Sequence, residues 1–254
     1  MKIIYILLIL IFLYFIYNKI STDYFNNIDE KRKIPKIIIQ TWKDHNIPEK
    51  YHTYINSIHK YNKTYTYLFF TDDDIIFFLK NNYPEYYNTF IRLPVKIQKI
   101  DFFRYIAIYH YGGIYLDLDM ECLKSFDSLL DYKAVFGIDH YIHNNTCSNS
   151  RFKLFCLNNH KFLIGQYAFA AIKNNEFIKL AIDNIHNNIE NIINNYNLLD
   201  DKKNHDYIYK TTGPDYISKL YYEYTNNELI KILYTDEIQV FGDYAIHHFI
   251  GTWK

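Results

Sequence analysis

The 254-residue sequence lacks several features that mark common functional classes. It has three cysteines and no CxxC spacing, which argues against a zinc ribbon or a thioredoxin-type site. It has no excess of positive charge, because 28 basic residues balance 28 acidic ones. A protein whose main partner is a nucleic-acid backbone needs a basic surface, so we expect no nucleic-acid partner. Glycine (7) and proline (5) are also scarce, which we attribute to AT-rich coding and not to function.

The N-terminus carries a long apolar run. Residues 3–17 contain no charge, and with the flanking apolar positions the run approaches the roughly 20 residues that a membrane helix needs. No alanine or glycine follows it in residues 18–23, whereas a cleaved signal peptide needs small residues before its cleavage site. We therefore expect a retained transmembrane anchor over residues 1–20 and a polar stem over residues 21–33.

The orientation of this anchor is not decided by charge, because lysines lie on both sides of the span. Glycosylation sequons at Asn62 and Asn144 favour a lumenal domain, so we expect a single-pass, type II protein of a Golgi- or ER-like membrane. In such a compartment Cys147 and Cys156 could form a disulfide, which would leave Cys122 as a free thiol.

The rest of the chain, residues 34–254, predicts one α/β domain. Strands alternate with helices, which is typical of a mixed, mostly parallel sheet flanked by helices. The apolar patterns predict strands at 37–39, 65–70 and 114–120, helices at 95–111 and 177–193, and a final strand-like segment at 238–250.

Two aspartates near the middle of the chain are the main chemical signal. Asp117 and Asp119 follow Gly112-Gly113 within an apolar segment, and residues two apart in a strand face the same side. Two carboxylates that face the same way repel each other unless a cation lies near them. Mg²⁺ and Mn²⁺ prefer such oxygen ligands, and a metal held there can stabilise a diphosphate leaving group.

Other polar residues occur where the sequence is otherwise apolar. Asp101 and Arg104 lie three apart on the predicted helix, so they share a face, and a charged pair on a buried helix requires a reason. His247 and His248 lie in the C-terminal segment, and one neutral imidazole beside two carboxylates would suit Mn²⁺. Which histidine binds the metal stays open.

These motifs, taken in order, resemble glycosyltransferase family 32, the DXD group that includes α-1,6-mannosyltransferases and α-1,4-galactosyltransferases. Five segments carry the resemblance: IPKIIIQTW at 34–42, DFFRY at 101–105, GGIYLDLD at 112–119, TGP at 212–214 and HHFIGTW at 247–253. Ile39, Thr252 and Gln166 stand where the family usually has His, Ser and Asn. Of these, Gln166 bears on contacts with the acceptor or the anomeric carbon, whereas the acidic, Arg and His positions are intact.

The resemblance implies a GT-A fold and a retaining transfer of a hexose from a GDP- or UDP-sugar to a hydroxyl of a glycan, glycolipid or protein. It implies catalytic roles for Asp101, Arg104, Asp117 and Asp119. It implies Mn²⁺ or Mg²⁺ at Asp117, Asp119 and His247 or His248. It implies a donor pocket lined by Gln40, Thr41, Trp42, Asp101, Arg104, Tyr115, Asp117 and Trp253.

Two other interpretations remain. A phosphohydrolase with Asp117 as nucleophile would have the DxDx(T/V) signature, but Glu121 stands where the hydroxyl or β-branched residue belongs. A membrane-anchored protein that binds glycans or nucleotide sugars without catalysis is the other, and the intact acidic and basic positions argue against it.

Overall fold

The computed structural model describes residues 33–201 and 204–250. The predicted anchor, nearly all of the predicted stem, and Trp253 lie outside these residues, so those expectations stay predictions. Across the described ranges, no helix combines the length and the apolar character needed to cross a bilayer.

A six-stranded mixed sheet forms the centre of the unit that begins at Ile34. Its spatial order is β2-β1-β3-β6-β5-β7, and a second sheet has the order β4-β9-β8. The strands are β1 (Ile37–Thr41), β2 (Thr66–Phe70), β3 (Gly113–Leu116), β4 (Met120–Cys122), β5 (Ala134–Tyr141), β6 (Phe162–Ala171), β7 (Ile230–Leu233), β8 (Val240–Phe241) and β9 (Ala245–His247).

Nine α-helices occur in the described ranges. They are α1 (His52–Tyr61), α2 (Asp72–Asn82), α3 (Pro84–Arg92), α4 (Lys96–Tyr111), α5 (Lys153–Leu157), α6 (Glu176–Asn187), α7 (Ile189–Asn197), α8 (His205–Thr211) and α9 (Pro214–Glu223). Short 3-10 turns lie at Glu49–Tyr51, Asp127–Leu129, Thr146–Ser148 and Asn227–Leu229. The predicted α/β class with a mixed sheet is confirmed.

The direction of the strands determines where a site can form. The pairs β1–β2, β1–β3 and β5–β7 are parallel, whereas β6 runs antiparallel to both β3 and β5. The carboxyl ends of β1, β3 and β5 therefore lie along one edge of the sheet, where ligands bind in open α/β sheets. Both faces of the sheet are apolar and covered, so β6 is buried along its whole length.

Charged residues are unusual in helix α4, because most of its central part is buried. Its central residues from Asp101 to Ile108 are all buried, and it packs between the sheet and α6. Gly112 ends it at a φ of 68°, a conformation that favours glycine. The next residue, Gly113, lies so close to β1 that an added Cβ would be 2.5 Å from the Ile37 carbonyl oxygen. The Gly-Gly pair therefore allows β3 to pair with β1 directly after the helix.

Three sequence expectations differ from the structure. The predicted strand at 114–120 ends at Leu116, and the Met120 N–H donates to the Asp117 carbonyl in a tight turn. The predicted helix at 177–193 is interrupted at Asn188, whose side-chain amide donates to the Asn184 carbonyl. The final segment is a hairpin of β8 and β9 that turns at Gly242, which has a φ of 57°.

Candidate active site

A cleft of about 750 Å³ opens at the carboxyl edge of β1, β3 and β5. Its lining combines acidic, basic and aromatic side chains, among them most of the residues predicted from the sequence. A cleft of this size is typical of a small-molecule site, and sugar-nucleotide donors are of the size it admits.

Asp117, Asp119 and His247 converge in this cleft. One potential ligand atom from each lies within 4.8 Å of the others. The two aspartates are brought together by the turn that follows β3, not by strand alternation, so the predicted proximity is observed but its predicted cause was wrong. His247 reaches them because β9 pairs with β4 and places it opposite Met120.

The C-terminal segment holds Asp119 from two directions. His247 Nε2 lies 3.2 Å from Asp119 Oδ1, and the Ile250 N–H donates to Asp119 Oδ2 at 2.9 Å. Burial acts to raise the pKa of Asp119, but these contacts outweigh it and hold the pKa below its ordinary value. The Asp119 carboxylate is therefore ionised at neutral pH.

Asp117 is oriented by two buried neighbours. The Tyr115 hydroxyl donates to Asp117 Oδ1 at 2.8 Å, and Arg104 Nη2 lies 3.4 Å from the same oxygen. Burial raises the pKa of Asp117, while the charge of Arg104 opposes that shift. A divalent cation beside the carboxylate would favour its ionised form in the same way.

Arg104 is the buried cation of the site. Its guanidinium also lies 3.2 Å from Asp101 Oδ1, donates to the Gln166 carbonyl at 2.9 Å and stacks 4.6 Å from the centre of the Tyr115 ring. Burial alone would lower the pKa of Arg104, but Asp117 and Asp101 hold it above its ordinary value. The guanidinium therefore stays charged among the carboxylates.

Asp101 is almost fully buried, with 1% of its surface exposed. The Thr212 hydroxyl donates to its Oδ2 at 2.8 Å, which connects α4 to the TGP segment. Burial raises the pKa of Asp101 to about 6, against the attraction of Arg104. The Asp101–Arg104 pair, which the sequence places on an apolar helix, is thus buried at the wall of the cleft.

Thr41 and Trp42 line the cleft where β1 ends. The Trp42 indole packs at a tilt against Tyr51, with ring centres 5.2 Å apart, and its buried N–H has no hydrogen-bond acceptor among the described residues. Buried donors are usually paired, so this N–H is a candidate contact for a ligand. Tyr115, Asp101 and Asp117 also line the cleft, and their contact with a donor stays a prediction.

Two predicted site residues are placed elsewhere. Gln40 is fully buried and does not line the cleft; its amide donates to the Asp117 carbonyl at 3.1 Å and accepts from Tyr67. It therefore supports the turn that carries the aspartates. His248 contacts Glu121 at 2.8 Å and stacks on Tyr54, so it lies outside the group formed by His247 and the aspartates.

The structure adds cleft residues that sequence reasoning missed, notably Asp139, Arg151 and Gln239. A signal existed for Asp139, since it follows the apolar run of β5 as Asp117 follows that of β3. No comparable signal marks Arg151, which lies in an irregular loop, or Gln239.

Residues 48–136 match the family model described as "Glycosyltransferase sugar-binding region containing DXD motif". This region of the chain is similar to the DXD glycosyltransferases. The resemblance to the DXD sugar transferases is therefore confirmed. The matched range holds Asp101, Arg104, Asp117 and Asp119, whereas His247 lies beyond it.

Curated proteins similar to this chain include mannosyltransferases of yeasts. It is 43% identical over 110 residues to inositol phosphoceramide mannosyltransferase 1 of Schizosaccharomyces pombe, which covers 42% of the chain and 34% of that protein. It is 39% identical over 108 residues to the initiation-specific alpha-1,6-mannosyltransferase of Saccharomyces cerevisiae, which covers 39% of the chain and 22% of that protein. The chain thus spans about a third or less of the length of these relatives.

The similarity to solved structures covers most of the chain. The PaToxG glycosyltransferase superposes with a TM-score of 0.50 at 20% identity, covering 82% of this chain and 79% of its own. The ligand-free glycosyltransferase domain of the YGT toxin gives a TM-score of 0.51 at 9% identity, with 79% and 80% covered. At these identities the likeness shows the fold alone, which is that of the GT-A glycosyltransferases.

Proposed function

We propose that this chain is a retaining, divalent-metal-dependent glycosyltransferase that moves a hexose from a nucleotide-diphosphate sugar to an acceptor hydroxyl. The observation that carries the proposal is the convergence of Asp117, Asp119 and His247 in one cleft, beside the buried cation Arg104. The DXD family match and the yeast mannosyltransferase relatives support the reaction class.

The three converging side chains fit a hard divalent cation. Two carboxylates and one imidazole are a donor set that suits Mn²⁺ or Mg²⁺. Without a cation, the two neighbouring carboxylates repel each other, and a bound divalent ion would remove that repulsion. A bound ion would neutralise the donor's diphosphate and stabilise the charge that grows on it as it leaves.

The protein's own groups supply orientation and charge around that position. Asp119 and His247 hold each other in place, Tyr115 fixes Asp117, and Arg104 presents a permanent positive charge to the developing anion. Asp101 keeps Arg104 in position and offers a carboxylate to the hydroxyls of the donor sugar. Thr41 and Trp42 lie on the β1 side, where we place the nucleotide.

The donor and the compartment are proposals as well. Because the relatives are named mannosyltransferases, a nucleotide-activated mannose is the first donor to test. The bond between Cys147 and Cys156 supports an oxidising compartment, since disulfides persist in the secretory lumen and are rare in the cytosol. We propose an anchor at 1–20, a stem at 21–33 and a lumenal catalytic domain at 34–254.

A donor-hydrolysis panel tests the reaction. Purified residues 22–254 would be incubated with GDP-mannose, UDP-galactose, UDP-glucose and UDP-N-acetylglucosamine, with Mn²⁺, with Mg²⁺ or with EDTA. We expect release of the nucleotide from one donor, loss of this release in EDTA, and its recovery on addition of metal. Asp119→Asn should reduce it at least about 100-fold, because a neutral amide is a poor ligand for a hard cation.

The matched control is Asp243→Asn, which neutralises an exposed carboxylate paired with Lys124 outside the cleft. It should behave as the wild type. Metal-independent phosphate release without any sugar transfer would instead indicate a phosphohydrolase. Metal-dependent donor binding without turnover would indicate a non-catalytic binding protein.

A further inference from the structure

The cleft continues to the other side of β6. Asp139, on β5, lies across β6 from the DXD turn, and Arg151 and Gln239 line the same cavity. Within the described residues, none of these three forms a hydrogen bond or ion pair with Asp117, Asp119 or Arg104. This half of the cleft therefore has its own set of polar groups.

Arg151 is the centre of this half. Its Nε and Nη2 donate to Asp215 Oδ1 at 2.9 Å and 2.5 Å, and Nη2 lies 3.5 Å from Asp139 Oδ2. The side chains of Arg151 and Asp215 are 11% and 2% exposed. The Cys147–Cys156 bond closes the loop that carries Arg151. Burial of these charged groups costs desolvation free energy, which the fold must offset elsewhere.

The charges of this cluster select the kind of ligand. One guanidinium faces two carboxylates, and the His140 ring also contacts Asp139 Oδ2, at 2.7 Å; with that ring neutral, Asp139, Arg151 and Asp215 together carry one net negative charge. A phosphate needs a cation that is free to pair with it, and Arg151 is already engaged by both aspartates. A neutral ring with adjacent hydroxyls, in contrast, can donate to the Asp139 carboxylate and accept from nitrogen donors.

Gln239 adds a second, independent observation. Its backbone has a φ of 61°, which is uncommon for a residue with a side chain, and its N–H donates to the Ile138 carbonyl at 2.9 Å. This contact holds Gln239 beside Asp139 at the wall of the cleft. Strained conformations of this kind persist at ligand sites, where the surrounding structure enforces them.

We propose that Asp139, Arg151 and Gln239 form the acceptor subsite, and that it binds the hydroxyls of a neutral sugar or cyclitol ring rather than a phosphate group. This proposal rests on the proposed function and names the acceptor class for it. Asp139 and Gln239 bind the hydroxyls, while Arg151, fixed by Asp215, positions Asp139. A phosphate attached to such a ring would lie outside this subsite.

Steady-state transfer to soluble acceptors tests the subsite. Wild type, Asp139→Asn and Gln239→Gly would be assayed with methyl α-mannoside, myo-inositol and their monophosphates, at saturating donor and metal. Each variant should raise the KM for the neutral acceptors about tenfold or more, the loss expected when a hydrogen bond to a charged or buried group is removed. The affinity for the nucleotide sugar, measured by titration calorimetry, should stay unchanged in both variants.

The two variants separate binding from folding. Gln239→Gly removes the amide and also relieves the strain at φ 61°, so the fold should be at least as stable as the wild type. Asp139→Asn removes one negative charge from the cluster. If a phosphate docked on Arg151, this change would strengthen the binding of the phosphorylated acceptors, and that result would overturn the proposal.

Other outcomes also decide the matter. An unchanged KM in both variants overturns the proposed subsite. The proposal is also overturned if the wild type does not transfer sugar to the neutral acceptors and these acceptors do not inhibit its donor hydrolysis. In those cases the wild type still hydrolyses a donor in the presence of metal. Failure of the proposed function is different, because then the wild type neither hydrolyses nor binds any nucleotide sugar.

Discussion

His247 Nε2 lies 3.2 Å from Asp119 Oδ1, although 127 residues separate the two along the chain between the turn after β3 and the end of the C-terminal hairpin. The contact exists because β9 pairs with β4, the strand that begins directly after Asp119. The C-terminal hairpin thereby contributes one of the three converging ligand groups of the candidate metal site.

The two neighbouring histidines should behave differently. His247→Ala removes a ligand group, so we expect the affinity for Mn²⁺ and the rate of donor hydrolysis to fall about 100-fold. His248→Ala is the matched control, because its ring contacts Glu121 and Tyr54 outside the group. It should stay within about twofold of the wild type. Calorimetric titration with Mn²⁺ measures the affinity, and equal losses in the two variants would contradict the assignment.

Gly165 should be required for the position of His247. A Cβ added at Gly165 would lie 2.3 Å from the ring of Tyr167, and that ring stacks 4.6 Å from His247. Gly165→Ala should therefore displace Tyr167, destabilise the fold by about 1–3 kcal/mol and weaken Mn²⁺ binding. Urea unfolding and metal titration measure the two effects.

Tyr167→Phe separates the ring from its hydroxyl. The hydroxyl donates to the Ile138 carbonyl at 3.1 Å, so its loss should cost about 1 kcal/mol of stability. The ring that stacks on His247 is retained, so Mn²⁺ affinity should be kept. If Gly165→Ala bound Mn²⁺ as tightly as the wild type, the positioning role of Tyr167 would be wrong.

The stability of the fold should depend on pH through Asp101. Burial raises its pKa from 3.8 to about 6, so the folded state binds a proton more tightly than the unfolded chain does. Asp101 therefore contributes stability below about pH 4, and this contribution is lost as the pH rises through 6. Relative to the wild type, Asp101→Asn should become progressively more stable between about pH 4 and pH 6.

Urea unfolding of both proteins at pH 4.5, 5.5, 6.5 and 7.5 measures this difference. The difference in unfolding free energy should stop changing above about pH 7, where Asp101 is ionised in both states. Parallel profiles over the whole range would show that Asp101 titrates at its ordinary pKa.

The two sequons should differ in use. Asn62 is 4% exposed, and its side chain donates to the Ile58 carbonyl and accepts from the Phe126 N–H. It is closed to a glycan in the folded domain, whereas Asn144 is exposed. When the domain is secreted from yeast, Asn144→Gln should remove a glycosidase-sensitive mass and Asn62→Gln should not. A mass shift at Asn62 would contradict the buried placement.

Much of this protein follows from local patterns in the chain. The β-branched run at Ile37–Ile39 produces a buried strand, Thr71 caps α2 as its hydroxyl suggests, and Gly112 ends α4. Each of these depends on neighbouring residues only, through side-chain burial, a cap hydrogen bond or a permitted φ. The family motifs likewise contain Asp101, Arg104, Asp117 and Asp119, which the structure brings together at one cleft.

Tertiary structure decided the rest. Only folding shows that a turn brings Asp117 and Asp119 together, that β4–β9 pairing selects His247 over His248, and that Gln40 supports the turn from within the core. The cluster of Asp139 and Arg151 joins residues from a strand and a loop, held by Asp215 from α9. Local periodicity specifies which residues share one face of a helix or strand. Contacts between distant elements depend instead on the order of the strands in the sheet and on which buried polar groups need a partner.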